Sequence, residues 1–206
     1  MDGTLLDSMW MWRTVLPRFL ETLDIPNSRE INDEVAQMSF TDAMSHVTAH
    51  YDIGMTAEAL YDALEKYILH LYEEKIEIKP YVREYLEQLS QKGVKICLAT
   101  LTERYMVQAV LERLDILKYF DYIVTVSEVG KSKKHPDIYE ACLKHTGIDK
   151  KDAVVFEDAA YCLKTAYNAG FVCYGIADPW QEFSDDFTQK YCHRFIRSYA
   201  ELLHFQ

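Results

Sequence analysis

The sequence predicts an α/β fold: a doubly wound parallel sheet with helices on both faces, interrupted near its start by an all-helical insert. Three observations point there. From residue 80 onward, short continuous apolar runs alternate with amphipathic stretches, the pattern of strands buried on both faces. Pro stands near the starts and Gly just past the ends of several of those amphipathic stretches, as helices prefer. Between residues 9 and 75, by contrast, apolar residues recur at helical spacing throughout.

In chain order, segment 9–24 reads as a helix that Pro17 should kink or break and that Ile25-Pro26-Asn27 should end. Segment 41–51 reads as another. Leu60, Leu64, Tyr67, Ile68 and Leu71 share one face of a third, with Thr56 placed as its N-cap. Val82, Tyr85, Leu86 and Leu89 mark a helix with Pro80 near its start and Gly93 past its end. VKICLA (94–99) is then the first strand, followed by a helix over about 103–117 and the strand YIVTV (122–126). A helix from Pro136 to Gly147, the strand AVVF (153–156), a helix ending at Gly170 and the strand FVCYGI (171–176) complete the pattern. Residues 1–8 and 77–206 therefore form the α/β core, and 9–76 the helical insert.

The 206 residues carry 22 Lys+Arg against 33 Asp+Glu, a net charge of −11, which disfavours nucleic acid as a partner. With 49% hydrophobic and 27% charged residues the chain can bury a core. No apolar run approaches the roughly 18–20 residues of a membrane span, and MDGTLLDSMWMW lacks the basic start and apolar stretch of a signal peptide. The five cysteines are scattered, odd in number and without a CxxC pair. They read as thiols packed in a protein of the reducing cytoplasm rather than as a disulfide frame or zinc site. A monomer is expected, with a homodimer as the alternative.

In open α/β sheets ligands bind beyond the carboxyl ends of the strands. The polar residues there are Thr100 and Thr102 after VKICLA, and Lys131, Lys133 and Lys134 after YIVTV. Glu157 and Asp158 follow AVVF, and Asp178 follows FVCYGI; Asp2, Gly3 and Thr4 stand at the N-terminus. Taken singly, the threonines read as helix caps and the lysines as a solvated loop. Together, a hydroxyl, a lysine and grouped carboxylates are what metal-assisted phosphoryl chemistry uses. His46 and His50 have a zinc-compatible spacing but lack a third ligand. Trp10, Trp12 and Tyr51 could wall a substrate or simply pack the insert.

These residues, in this order, resemble the haloacid dehalogenase superfamily, within it the group of β-phosphoglucomutase and phosphoglycolate phosphatase. MDGTLLDS is similar to its first motif, VKICLAT to the second, KKHPDIY to the third and VVFEDA to the fourth. The helical insert corresponds to the family's cap domain. The resemblance implies a Mg²⁺-dependent phosphatase of a small phosphorylated metabolite. It implies that Asp2 is the general acid/base, with a metal-ligating carbonyl, and that Thr100 and Lys133 bind the phosphoryl group. Asp158 with Glu157 would hold Mg²⁺. Thr4 and residues 7–9 would lie where core passes into cap.

Four departures accompany it. The family's nucleophile stands two residues before the general acid/base, a place these residues do not cover. The implied reading is that Met1 is the internal Met of an Asp-Met-Asp-Gly-Thr motif, with an apolar strand before it. Ala159 and Cys162 replace the usual Ser and Gly of the fourth motif. Phe40 falls where the mutase carries an arginine for a distal phosphate, which favours hydrolysis over mutase activity. The remaining readings are a non-catalytic phosphate- or partner-binding relative and, against its acid cluster, a metal-free dehalogenase.

Overall fold

The computed structural model describes residues 1–26, 28–35 and 38–203. The chain divides into two compact units, one of Met1–Met9 with the residues from 76 onward, the other of Trp10–Lys75. Each is described by itself.

The first unit begins with a tight turn in which the amides of Thr4, Leu5 and Leu6 all point to the Met1 carbonyl. Strand β1 (Leu6–Asp7) follows and leads into α1 (Met9–Thr22). In the second unit, α1 continues into α2 (Ser28–Val35), α3 (Phe40–His50) and α4 (Ala57–Glu74). Their buried faces come from apolar residues at helical spacing: Met11, Val15, Leu16, Phe19 and Leu20 on α1, and Leu60, Leu64, Ile68, Leu71 and Tyr72 on α4. Thr56 caps α4 by accepting from the Ala59 amide at 3.2 Å.

Pro17 neither breaks nor ends α1, which is assigned as helix from Met9 to Thr22. A proline inside a helix, through the lost hydrogen bond and the clash of its ring with the preceding turn, costs about 3 kcal/mol. Burial of Val15, Leu16, Phe19 and Leu20 is worth roughly 1.5–3 kcal/mol each and outweighs it. The helix stops ahead of the expected Ile25-Pro26-Asn27 boundary, of which Asn27 lies outside the described residues.

Back in the first unit, β2 (Glu77–Ile78) pairs antiparallel with β1, Leu6 opposite Ile78. Next come α5 (Val82–Gln91), β3 (Cys97–Thr100), α6 (Arg104–Arg113), β4 (Tyr122–Thr125), α7 (Val126–Val129), α8 (Asp137–Thr146), β5 (Val154–Glu157), α9 (Ala160–Asn168), β6 (Val172–Ile176), α10 (Asp185–Tyr191) and β7 (Arg194–Ile196). Strands β3 and β4 pair in parallel, with Thr100 opposite Thr125. Strands β5, β6 and β7 form a second parallel sheet. Among the described residues no strand hydrogen-bonds the β3–β4 pair to the β5–β7 sheet.

Helices α8 and α9 pack Ile138, Tyr139, Leu163 and Ala166 against Val124, Phe171 and Cys173. The fold is the α/β architecture expected, with two differences at the first strand. It starts at Cys97, because Val94 and Lys95 are exposed, and it includes Thr100. The helix after it is shorter than expected, giving way to a 3₁₀ turn at Leu117–Tyr119. The five cysteines are unbridged, with Cys162 and Cys173 buried. No helix among the described residues is long and apolar enough to cross a membrane.

Candidate active site

The site lies in the first unit and is built by the turn after Met1 and the carboxyl ends of β3 and β5. Gly3 allows the turn: its φ is +66°, a left-handed conformation that costs glycine least. A Cβ there would overlap the Asp158 carboxylate, with Asp158 Cγ at 2.6 Å and Met9 Cγ at 2.9 Å. Glycine thus lets the backbone of the first motif lie directly on Asp158.

Side chains link the same elements. Thr102 Oγ1 donates to Asp2 Oδ2 at 2.7 Å, and Ser8 Oγ donates to Asp2 Oδ1 at 2.7 Å. The Thr102 amide donates to Thr100 Oγ1 at 3.2 Å, which fixes the β3–α6 loop. Thr4 Oγ1 donates to Asp158 Oδ1 at 2.7 Å, so Thr4 belongs to the acid cluster. Lys133 Nζ is paired with Glu157 Oε1, and the Tyr139 hydroxyl donates to the same oxygen at 3.1 Å. Thr4, Thr100, Thr102, Lys133, Glu157 and Asp158 are all buried.

Electrostatics report the same closeness. Burial raises the Asp158 pKa to about 6, and the neighbouring Glu157 charge pushes the same way against the Thr4 hydrogen bond. Burial alone would lower the Lys133 pKa, but the neighbouring acids, Glu157 first and then Asp158, outweigh it and raise it. The Cys162 thiol, where the resemblance expects glycine, is pushed up to about 12 by burial and by Glu157, so it is a neutral, 1% exposed core group.

Asp2, Thr100, Lys133, Glu157 and Asp158 therefore meet in one unit. Lys131 does not join them: it is exposed and pairs with Asp137 at 2.5 Å. Lys134 is exposed. Asp178 turns to Lys79, at 2.8 Å. No site role follows from the sequence for Lys79, which no motif marks, for Ser8, which ends the first motif, or for Tyr139, whose ring the third motif carries on α8.

Among the described residues no group of three or more His, Cys, Asp or Glu side chains could hold a metal. Glu157 is turned to Lys133 and Tyr139. The Asp2 backbone carbonyl and the Asp158 carboxylate remain as hard oxygen donors. One or two carboxylates with further oxygen ligands suit Mg²⁺, which keeps several waters and takes further ligands from phosphate. A buried Asp158 that resists ionisation fits a site completed by a cation.

His46 and His50 do not present a metal site. Their rings stack at 4.2 Å; His46 Nε2 lies 3.2 Å from Glu34 Oε2, and His50 Nδ1 lies 2.8 Å from the His46 carbonyl. Tyr51 donates to Glu34 at 2.8 Å, and Trp12 packs near Phe40 at 6.1 Å between ring centroids.

A parallel α/β core whose strand ends gather a hydroxyl, a lysine and acids defines a hydrolase of the phosphate-handling kind. The chain belongs to the haloacid dehalogenase-like hydrolase family, whose model matches residues 1–176. It is 29% identical over 177 residues to a phosphorylated carbohydrates phosphatase of Thermotoga maritima, covering 82% of this chain and 79% of that one. It is 25% identical over 162 residues to hexitol phosphatase B of Escherichia coli (strain K12), covering 77% and 72%. Its fold is similar to a Thermotoga maritima structure provisionally assigned as a β-phosphoglucomutase, with a TM-score of 0.82, 24% identity and coverage of 96% and 91%.

Proposed function

We propose that the protein is a phosphatase that hydrolyses the monoester of a small phosphorylated metabolite, of the carbohydrate kind named for its relatives. The observation that supports this best is the continuous cluster joining Thr102, Asp2, the Gly3 turn, Thr4, Asp158, Glu157 and Lys133. Asp2 is the general acid/base: its two oxygens are oriented by the Ser8 and Thr102 hydroxyls, so it can hand a proton to the leaving oxygen and later take one from water. Thr100 and Lys133 hold the phosphoryl oxygens, and Lys133 offsets the charge that grows on them. The Asp2 backbone carbonyl and the Asp158 carboxylate would hold Mg²⁺, which when bound supplies positive charge to the phosphoryl oxygens. The helical residues 9–76 are assigned the role of a substrate-selecting cap.

The aspartyl-phosphate route needs a carboxylate two positions before Asp2, outside these 206 residues. The test is phosphate release from p-nitrophenyl phosphate with Mg²⁺. It compares this chain with one extended before Met1 by an apolar strand ending in Asp. The extended chain turns over and loses turnover on Asp158→Asn. Undiminished activity of that variant in chelator would overturn the reading. The alternative reading is phosphate binding without turnover. Calorimetric binding of phosphate by a catalytically silent extended chain would establish it instead. The mutase reading has less support, since Phe40 stands where an arginine would grip a second phosphate.

A further inference from the structure

We propose that Lys79 is a positioning residue that clamps the Asp2-Gly3-Thr4 turn in place, so that the general acid/base and the partner of Asp158 keep their geometry. The idea rests on the phosphatase reading above for its catalytic consequence, not for its structural one.

Lys79 follows β2 directly, and its side chain is only 12% exposed. Its ammonium meets three groups. It donates to the Gly3 carbonyl, donates to the Ala177 carbonyl at 3.1 Å, and pairs with Asp178 Oδ2 at 2.8 Å. Two of its donors therefore find carbonyl acceptors, and the Asp178 carboxylate, whose buried Oδ2 has no other hydrogen-bond partner among the described residues, supplies the counter-charge. Its own backbone amide donates to the Leu5 carbonyl at 2.9 Å, so one residue grips the turn from both ends.

Asp178 is in turn fixed. Its side chain is fully buried, and Oδ1 accepts from the Trp180 amide at 2.9 Å. The loop after β6 is thus an anchor, and Lys79 is the bolt between that anchor and the turn. Gly3 lies between the two residues that matter most. Asp2 precedes it, held by Thr102 and Ser8, and Thr4 follows it, holding Asp158. A displacement of the Gly3 peptide moves both at once. Misplacing a catalytic group by about 1 Å costs on the order of a hundredfold in rate.

Removing Lys79 alone leaves Asp178 buried without its counter-charge, and that variant can fail to fold. The informative comparison is therefore Asp178→Asn against Lys79→Met combined with Asp178→Asn. Both lack the buried carboxylate charge; only the first keeps an ammonium on Gly3. With p-nitrophenyl phosphate and Mg²⁺, on the extended chain, kcat of the double variant should fall about tenfold or more below Asp178→Asn. KM of the two should agree within about twofold, because the substrate-binding groups are untouched. Equal kcat values overturn the proposal.

A second readout separates this idea from the phosphatase reading. The amides of Gly3, Thr4, Leu5 and Leu6 are all hydrogen-bonded within the turn. Hydrogen exchange over residues 2–8 should be at least about tenfold faster in the double variant than in Asp178→Asn, whether or not the protein turns over substrate. Unchanged protection shows that Lys79 does not hold the turn. Absent turnover with lost protection sinks the phosphatase reading and leaves the clamp standing.

Discussion

A lysine with 3% of its surface exposed needs a counter-charge, and Lys133 finds it in Glu157, itself 5% exposed. The Tyr139 hydroxyl donates to the same carboxylate, so the pair is hydrogen-bonded as well as charged. Taking away one partner leaves the other buried and uncompensated, which costs about 3–5 kcal/mol. Removing both charges costs far less. Lys133→Met should therefore destabilise strongly, and adding Glu157→Gln to it should recover most of the loss. Urea unfolding of the two variants measures this; equal stabilities would mean that the pair carries no coupling. This residue also marks the limit of what sequence shows. A Lys-Ser-Lys-Lys stretch reads as a solvated loop, and nothing in its composition separates buried Lys133 from exposed Lys131 and Lys134. The proline and aspartate downstream do so only through the family motif.

At the scale of elements, α7 is four residues long and needs its ends satisfied. Thr125 and Glu128 form a reciprocal capping box at its start, with the Glu128 carboxylate accepting from the Thr125 amide at 2.9 Å. Glu128 also pairs with Arg104, whose Nη2 lies 2.7 Å from Oε2. The Arg104 hydrogen bond is the main cause that lowers the Glu128 pKa to about 2. A lowered carboxylate pKa stabilises the fold above the unfolded value of 4.5, and the benefit is lost as pH falls toward 2. Both side chains are more than a third exposed, so solvent screening limits the ion pair to about 0.5–1 kcal/mol. Glu128→Gln keeps the cap and loses the charge. It should be destabilised by that amount at pH 7, with the gap closing between pH 4.5 and 2; thermal melts across that range check it, and a pH-independent gap would refute the assignment.

Elements also differ in how openly the sequence announces them. Strands β3 to β6 are continuous apolar runs, and α4 shows its buried face at perfect helical spacing. Strand β7 is three residues long and starts with an exposed arginine, so it offers no run to see. Helix α2, SREINDEV, is short and mostly polar, and only Ile31 and Val35 mark its inner face. Pro17 does not end α1 because the rule of breaking is local, while the burial that overrides it is tertiary.

For the whole molecule, the chain carries a net charge of −11 and still buries Asp158 and Glu157 side by side. Only Glu157 has a lysine against it; Asp158 has the Thr4 hydroxyl. The Asp158 pKa stands at about 6 in the folded chain, against an ordinary value of 3.8. A raised carboxylate pKa means that the folded state binds the proton more tightly than the unfolded one. Without metal, this group's contribution to stability therefore falls as pH rises from 3.8 through 6. A cation that binds only the folded state reverses that loss. At a hundred times its Kd it adds about 2.7 kcal/mol. For a chain of this size that is a rise of roughly 5–10 °C in Tm. The proton and the metal compete for the same carboxylate, so the Mg²⁺-induced rise should be small at pH 5 and reach its full value by pH 7.5. Asp158→Asn should melt higher than the parent in chelator at pH 7.5, since the buried charge is gone, and should gain nothing from Mg²⁺. Differential scanning calorimetry of both proteins, with and without the metal, decides the matter. A parent that gains as much at pH 5 as at pH 7.5, or a variant that gains as much as the parent, would place the cation somewhere other than Asp158.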